Sequence, residues 1–157
     1  MEPKLFWAPD QRNAGGAVTD ELLKDAQAFL GHTLPLEMVT LLKAQNGGAT
    51  RGFIHPMNAR TSWSDDHVPF DKMAGIEATV LGIQPQSSLM DSAHLSQEWG
   101  LPLHQLLLTG EGHYWVSLDY RQGEEPTVAW LDMDCGQDFQ IAHSFRDFLN
   151  GLRVATP

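Results

Sequence analysis

The chain has 157 residues, a single cysteine and a hydrophobic content of 42%. These values predict one folded domain over residues 1–157, and they exclude a disordered chain or a small scaffold held together by disulfides. The formal net charge is −10, from 20 acidic and 10 basic residues. This charge argues against nucleic-acid binding, because an acidic surface repels phosphates.

The negative charge is concentrated in the second half of the chain. Residues 79–157 hold 10 Asp and Glu against 3 Lys and Arg, a net −7, whereas residues 1–78 hold 10 against 7, a net −3. A basic protein is therefore the natural partner, although such a charge also serves solubility alone. The first residues lack the pattern of a secretory signal and no apolar run is long enough to span a membrane, so we expect a cytoplasmic protein.

The first part of the chain predicts an arm followed by a helix. Residues 1–18 are expected to be irregular, with Phe6 and Trp7 packed onto a core domain over residues 19–152. Thr19 is a favourable N-cap, and two acidic residues follow it in the first turn, where the helix dipole favours them. The apolar stripe of this helix comprises Leu22, Ala26, Phe29 and Leu30.

A second helix is predicted to begin at Leu34-Pro35 and to stop at Asn46-Gly47-Gly48, because proline is tolerated in the first helical turn and glycine ends a helix. The next segment is less regular. Residues 52–54 are expected to form a short strand that ends at a proline, and residues 67–70 an edge strand. Residues 76–83 are rich in β-branched side chains and stay ambiguous between helix and strand.

Residues 106–132 predict a three-stranded antiparallel meander, with turns at residues 109–112 and 122–126. Alternation assigns its middle strand two faces. One face carries Tyr114, Val116, Leu118 and Tyr120, and the other carries His113, Trp115, Ser117 and Asp119. Residues 134–138 then predict an acidic loop.

Ser88 and Ser144 are placed as N-caps of a short helix and of a final helix, respectively. The order is therefore helix, helix, mixed strands, short helix, meander and helix. This order is typical of an α+β fold, in which helices flank a mainly antiparallel sheet.

The sequence predicts no catalytic residue, no metal site and no cofactor. Cys135 lies among carboxylates, which raise a thiol pKa and weaken it as a nucleophile. Residues 132–138 have the carboxylate spacing of a calcium loop, but Gln137 occupies the place of its glycine and His143 the place of its closing glutamate. Residues 110–112 form a lone Gly-x-Gly that no helix follows, which does not fit a phosphate-binding loop. His113, beside a hairpin turn, is the histidine best placed to act, although a turn histidine is more often only exposed.

Aromatic side chains beside carboxylates suit a protein-binding surface, since the ring supplies buried area and the acids supply orientation. Trp63 flanks an acidic loop, and Trp115 shares a strand face with Asp119 rather than with the apolar residues. The alternative is that these tryptophans belong to the core. The predicted partner-binding residues are Trp63, Asp65, Asp66, Glu111, His113, Trp115, Glu124 and Glu125.

Several segments together resemble the SUKH superfamily, specifically its Smi/Knr branch of cell-wall-assembly regulator-like proteins. They are Leu34-Pro35, residues 45–48, Gly75-Ile76, residues 98–102, residues 109–121, residues 125–128 and residues 142–149. The resemblance implies an α+β binding domain without shared catalytic residues. It also implies an immunity protein that occludes a cognate toxin, often a nuclease, as in many bacterial members, or a regulatory scaffold, as in fungal members. A small hydrolase or metal-dependent enzyme using His113 is the remaining alternative.

Overall fold

A computed structural model of the protein describes residues 1–9, 16–77 and 88–156. These residues form five α-helices and seven strands, and none of the helices has the length and apolar character that crossing a membrane requires. The helices are α1 (Pro3–Phe6), α2 (Asp20–Leu30), α3 (Leu36–Ala44), α4 (Ser92–Trp99) and α5 (Phe145–Gly151). The strands are β1 (Gly48–Pro56), β2 (His67–Met73), β3 (Gln105–Gly110), β4 (Trp115–Asp119), β5 (Thr127–Asp132), β6 (Gln137–Ala142) and β7 (Arg153–Val154).

The strands form two antiparallel sheets, which confirms the α+β class. One sheet has the order β2-β1-β7 and the other the order β3-β4-β5-β6. The predicted strands at residues 52–54 and 67–70 are confirmed within β1 and β2, and β2 is an edge strand as expected. The sheets meet where the amide of Ala74, just after β2, donates to the carbonyl of Leu108 in β3 over 2.8 Å.

The meander has four strands rather than the predicted three. The expected acidic loop over residues 134–138 is wrong, because a single 3₁₀ turn at Met133–Cys135 reverses the chain and β6 begins at Gln137. The carboxylate of Asp132 caps this turn by accepting the amide of Cys135. The residues whose carboxylate spacing resembles that of a calcium loop therefore form a capped turn and the start of a strand.

The predicted face alternation of β4 is confirmed, but both faces are covered. Tyr114, Val116, Leu118 and Tyr120 belong to the main core, which also takes in residues of α2, α3, α5 and β2. Trp115, on the opposite face, belongs to a second cluster with Leu95 of α4. Every residue of β4 is buried, so β4 has the continuous burial of a sandwiched central strand.

Part of the predicted N-terminal arm is helical and contributes to the core. Residues 3–6 are helical, and the rings of Phe6 and Trp7 are buried, as expected for these two side chains. The indole nitrogen of Trp7 donates to the carbonyl of Leu41 in α3 over 2.9 Å. The ambiguous segment 76–83 lies outside the described residues from position 78 onwards.

The three predicted serine and threonine caps are confirmed. The hydroxyls of Thr19, Ser88 and Ser144 accept the amides of residues 22, 90 and 147, respectively. These bonds satisfy amides that a helix leaves free at its first turn. The prediction that Phe29 belongs to the buried stripe of α2 is wrong, because its side chain points outward and is 70% exposed.

Candidate functional site

The meander separates the predicted binding residues into two groups. Consecutive turns of an antiparallel meander lie at opposite ends of the sheet. The β3–β4 turn (residues 111–114), the β5–β6 turn (133–136) and the β1–β2 loop (57–66) meet at one end, which we name the loop end. The β4–β5 turn (120–126) lies at the other, which we name the turn end. β5 alone has six residues, so the two ends are about 20 Å apart.

Trp63 is the exposed aromatic residue of the loop end. Its side chain is 47% exposed, and its ring lies edge-on to Tyr114 with 5.2 Å between centroids. Tyr114 in turn stacks on buried Trp130, with centroids 4.7 Å apart. Trp63 is therefore supported from below by two ordered rings, which gives a rigid anchor at low entropic cost on binding.

Two side chains of the β5–β6 region fasten the Trp63 loop to the sheet. The side-chain oxygen of Gln137 accepts the amide of Ser62 over 2.9 Å and the indole N–H of Trp130 over 3.0 Å. The hydroxyl of Ser62 donates to the buried carboxylate of Asp132 over 2.5 Å. The two bonds made by Ser62 join residues 75 and 70 positions apart in the chain, and no local sequence signal identifies them.

The carboxylates of the loop end lie in the Trp63 loop and in the adjoining β3–β4 turn, and they are exposed. Asp65 pairs with Arg60 at 2.9 Å, and Asp66 pairs with His67 at 2.8 Å. The hydrogen bond from His67 lowers the pKa of Asp66. Glu111 is also exposed. Exposed pairs of this kind contribute little to stability, so the carboxylates can exchange their present partners for those of a bound protein.

His113 belongs to the same end, but its position does not suggest catalysis. Its imidazole is exposed and lies 3.9 Å from the carboxylate of Asp134. Cys135 is close to this pair, and desolvation together with the carboxylate of Asp132 raises the pKa of its thiol. Within the described ranges, no three His, Cys, Asp or Glu side chains are grouped to hold a metal ion.

The expected exposure of Trp115 is wrong. Its side chain is 1% exposed and packs beneath α4 with Leu95, Leu107 and Leu131. Asp119, on the same face, is also buried and forms an ion pair with Arg121 at 2.7 Å. The alternation of residues identified this face correctly but could not show that a helix covers it.

Glu124 and Glu125 lie exposed at the turn end. Among the described residues neither has an ion-pair partner, because the nearby Arg121 is held by Asp119 and by Asp138, each at 2.7 Å. The structure therefore brings together Trp63, Asp65, Asp66, Glu111 and His113, and it places the two glutamates apart from them.

The geometry defines a class: an α+β domain with two antiparallel sheets, a buried core, and exposed aromatic and acidic side chains on its loops. The model of the SMI1 / KNR4 family (SUKH-1) matches residues 17–151. The chain belongs to this family. No curated protein matches it.

Proposed function

We propose that the protein is a non-enzymatic immunity protein of the cytoplasm, whose loop end occludes a cognate toxin domain of basic charge, such as a nuclease. The observation that carries the proposal is Trp63, which is exposed on a rigid aromatic support at an end of the sheet that also carries exposed carboxylates. Family membership is consistent with such a role. A regulatory scaffold is the alternative within the same family.

The two kinds of side chain have different tasks in this mechanism. The carboxylates of Asp65, Asp66 and Glu111 attract a basic surface and raise the association rate, an effect that salt screens. The indole of Trp63 becomes buried on binding and slows dissociation, since large aromatic residues at the centre of an interface carry most of its energy. A toxin with a cationic substrate site is inhibited because the loop end covers that site.

The test is capture of the partner from the host by the tagged protein at about 50 and 300 mM salt. Wild type is compared with two double variants that change the charge equally at opposite ends: Asp65→Lys with Asp66→Lys, and Glu124→Lys with Glu125→Lys. We expect one basic protein, released by high salt and lost only from the Asp65/Asp66 variant. Thermal unfolding of each variant checks that it is folded.

The captured protein is then expressed with and without the chain. Wild type should suppress its toxicity, and the Asp65/Asp66 double variant should not. Equal capture by both double variants would place the partner elsewhere on the molecule. A captured protein with no toxicity would refute the immunity role and favour the scaffold.

A further inference from the structure

The turn end carries three large apolar side chains that the core does not use. Phe29 at the end of α2 is 70% exposed, Leu36 at the start of α3 is 80% exposed, and Leu103 before β3 is 78% exposed. Single exposed apolar residues are ordinary, but a group of them beside a concave surface marks an interaction site. Whether these three residues mark such a site therefore depends on how they lie relative to the local grooves.

Three adjoining grooves connect these residues. A groove of about 520 Å³ includes Phe29, Leu103 and His32, and one of about 280 Å³ includes His32 and Glu124. A third, of about 500 Å³, includes Glu124 and Leu36. Because neighbouring grooves share lining residues, they lie side by side along the turn end, and Glu124 lines two of them; we name this row of grooves the furrow.

The floor of the furrow is held in place by hydrogen bonds and ring stacking. The ring of His32 stacks on Tyr120 with centroids 4.1 Å apart, and the Tyr120 hydroxyl donates to the carbonyl of Thr33 over 2.8 Å. The amide of Tyr120 donates to the carbonyl of His104 over 2.9 Å. The furrow thus exists before any partner arrives, which lowers the entropic cost of binding.

The charge of the furrow selects a basic occupant. Its two arginine neighbours are already paired, Arg146 with Glu37 at 2.8 Å and Arg121 with two aspartates. In the part of the chain that the structure describes, Glu124 and Glu125 have no such pairing. The furrow therefore combines apolar ends with an uncompensated negative centre.

We infer that the furrow is a second docking surface, which takes an extended polypeptide segment with large apolar side chains on either side of a Lys or Arg. The apolar side chains lie against Leu36 at one end and against Phe29 and Leu103 at the other. The basic side chain pairs with Glu124 and Glu125. This site is separate from the loop end, so both can be occupied at once.

The test uses a phage-displayed library of 12-residue peptides selected on the immobilised wild-type chain. The strongest peptide is synthesised, and its affinity is measured by fluorescence anisotropy. We expect selected sequences with Lys or Arg between large apolar residues. Glu124→Lys with Glu125→Lys should weaken binding at least 10-fold, and Leu36→Gln about 5-fold. The matched controls are Asp65→Lys with Asp66→Lys and Leu5→Gln, an exposed leucine of α1, and both should change affinity less than twofold.

Three results would overturn the inference: a selection that yields no binder, selected peptides without basic residues, or binding that the Asp65/Asp66 variant loses and the Glu124/Glu125 variant keeps. Leu36→Gln places a polar residue at an exposed position, so its thermal unfolding midpoint should match wild type. Any loss of affinity then reports on the contact. Because the probe is a peptide and not the toxin, this result is independent of whether the loop end binds one.

Discussion

The two ends of the four-stranded sheet present different kinds of binding surface. The loop end offers one exposed aromatic ring that two further rings support, together with exposed carboxylates on the same end. The turn end offers a long furrow with exposed apolar side chains at its two extremities and two free carboxylates in its middle. The sequence places acidic residues in both regions, so charge alone does not distinguish them. The two ends differ in the side chains that accompany their acidic residues: a supported aromatic ring at the loop end, and exposed apolar side chains at the turn end.

The largest expected effect is a difference in stability between variants of Trp115 and Trp63, two tryptophans that the sequence predicts alike as binding residues. Trp115→Ala should lower the free energy of unfolding by about 3–5 kcal/mol, because it leaves a cavity beneath α4. Trp63→Ala should lower it by less than about 1 kcal/mol, since this side chain is half exposed, and should weaken partner binding at least tenfold. Urea unfolding and partner titration measure the two quantities. Similar stabilities for the two variants would contradict the assignment of Trp115 to the core and Trp63 to the surface.

The next effect concerns the ion pairs beside the turn end. Asp119 is buried, and it accepts hydrogen bonds from Arg121 and from the side chain of Gln105. Asp119→Ala should therefore cost about 2–3 kcal/mol of unfolding free energy, because it removes buried hydrogen bonds to a charged carboxylate. Asp138→Ala removes the more exposed carboxylate on the same arginine and should cost about 1 kcal/mol or less. Equal losses of unfolding free energy in the two variants would show that the burial of Asp119 adds nothing to the stability that its hydrogen bonds provide.

The loop end is fastened in a different way, which a third variant tests. Asp132→Ala removes the acceptor of the Ser62 hydroxyl and of the Cys135 amide and should cost about 1–2 kcal/mol. Its distinctive result is local: amide hydrogen exchange over residues 61–66 should become faster while β4 stays protected. Asp134→Ala, which changes an exposed carboxylate of the same turn, is the control. Unchanged exchange in the loop would mean that Gln137 holds it alone.

The overall fold could be read from local signals, and these signals explain which predictions hold. Caps such as Thr19 and Ser144 determine a helix start by hydrogen bonds within four residues, and strand alternation follows from backbone geometry. The fourth strand was missed because the acids of residues 132–138 suggest a loop, whereas one of them, Asp132, caps a tight turn. Phe29 satisfies helical periodicity, but periodicity does not say how wide a stripe the core covers.

The candidate site was predicted only in part, for a reason of topology. Trp63, Asp65 and Asp66 were found because an aromatic ring beside acids is visible in a short segment. The separation of Glu124 and Glu125 from Glu111 and His113 follows from the alternation of meander turns, which the predicted strand order already contained. The bonds from Asp132 and Gln137 to the Trp63 loop were not predictable, because they join distant segments.

The smallest effect is a dependence on pH at the turn end. Burial lowers the pKa of His32 from its ordinary value of 6.5, and repulsion from His104 lowers it further. The ring of His32 also faces Tyr120, and Glu124 lines the same groove. Folding therefore favours the neutral imidazole. As pH falls below 6.5, the unfolded chain binds the proton more readily than the folded one, so this contribution to stability is present above pH 6.5 and is lost on acidification.

His104→Asn tests the electrostatic part of this effect. Asparagine tolerates the left-handed backbone of position 104, whose φ is 64°, and it removes the second imidazole. The pKa of His32, followed by NMR titration of its ring protons, should rise towards 6.5 without reaching it, because burial on Tyr120 remains. The stability lost between pH 7.5 and 5.5 should shrink accordingly. His113→Asn at the loop end should leave the His32 titration unchanged. A His32 pKa that did not move in His104→Asn would assign the whole shift to burial, and the turn end would then owe its pH dependence to packing rather than to the pair of histidines.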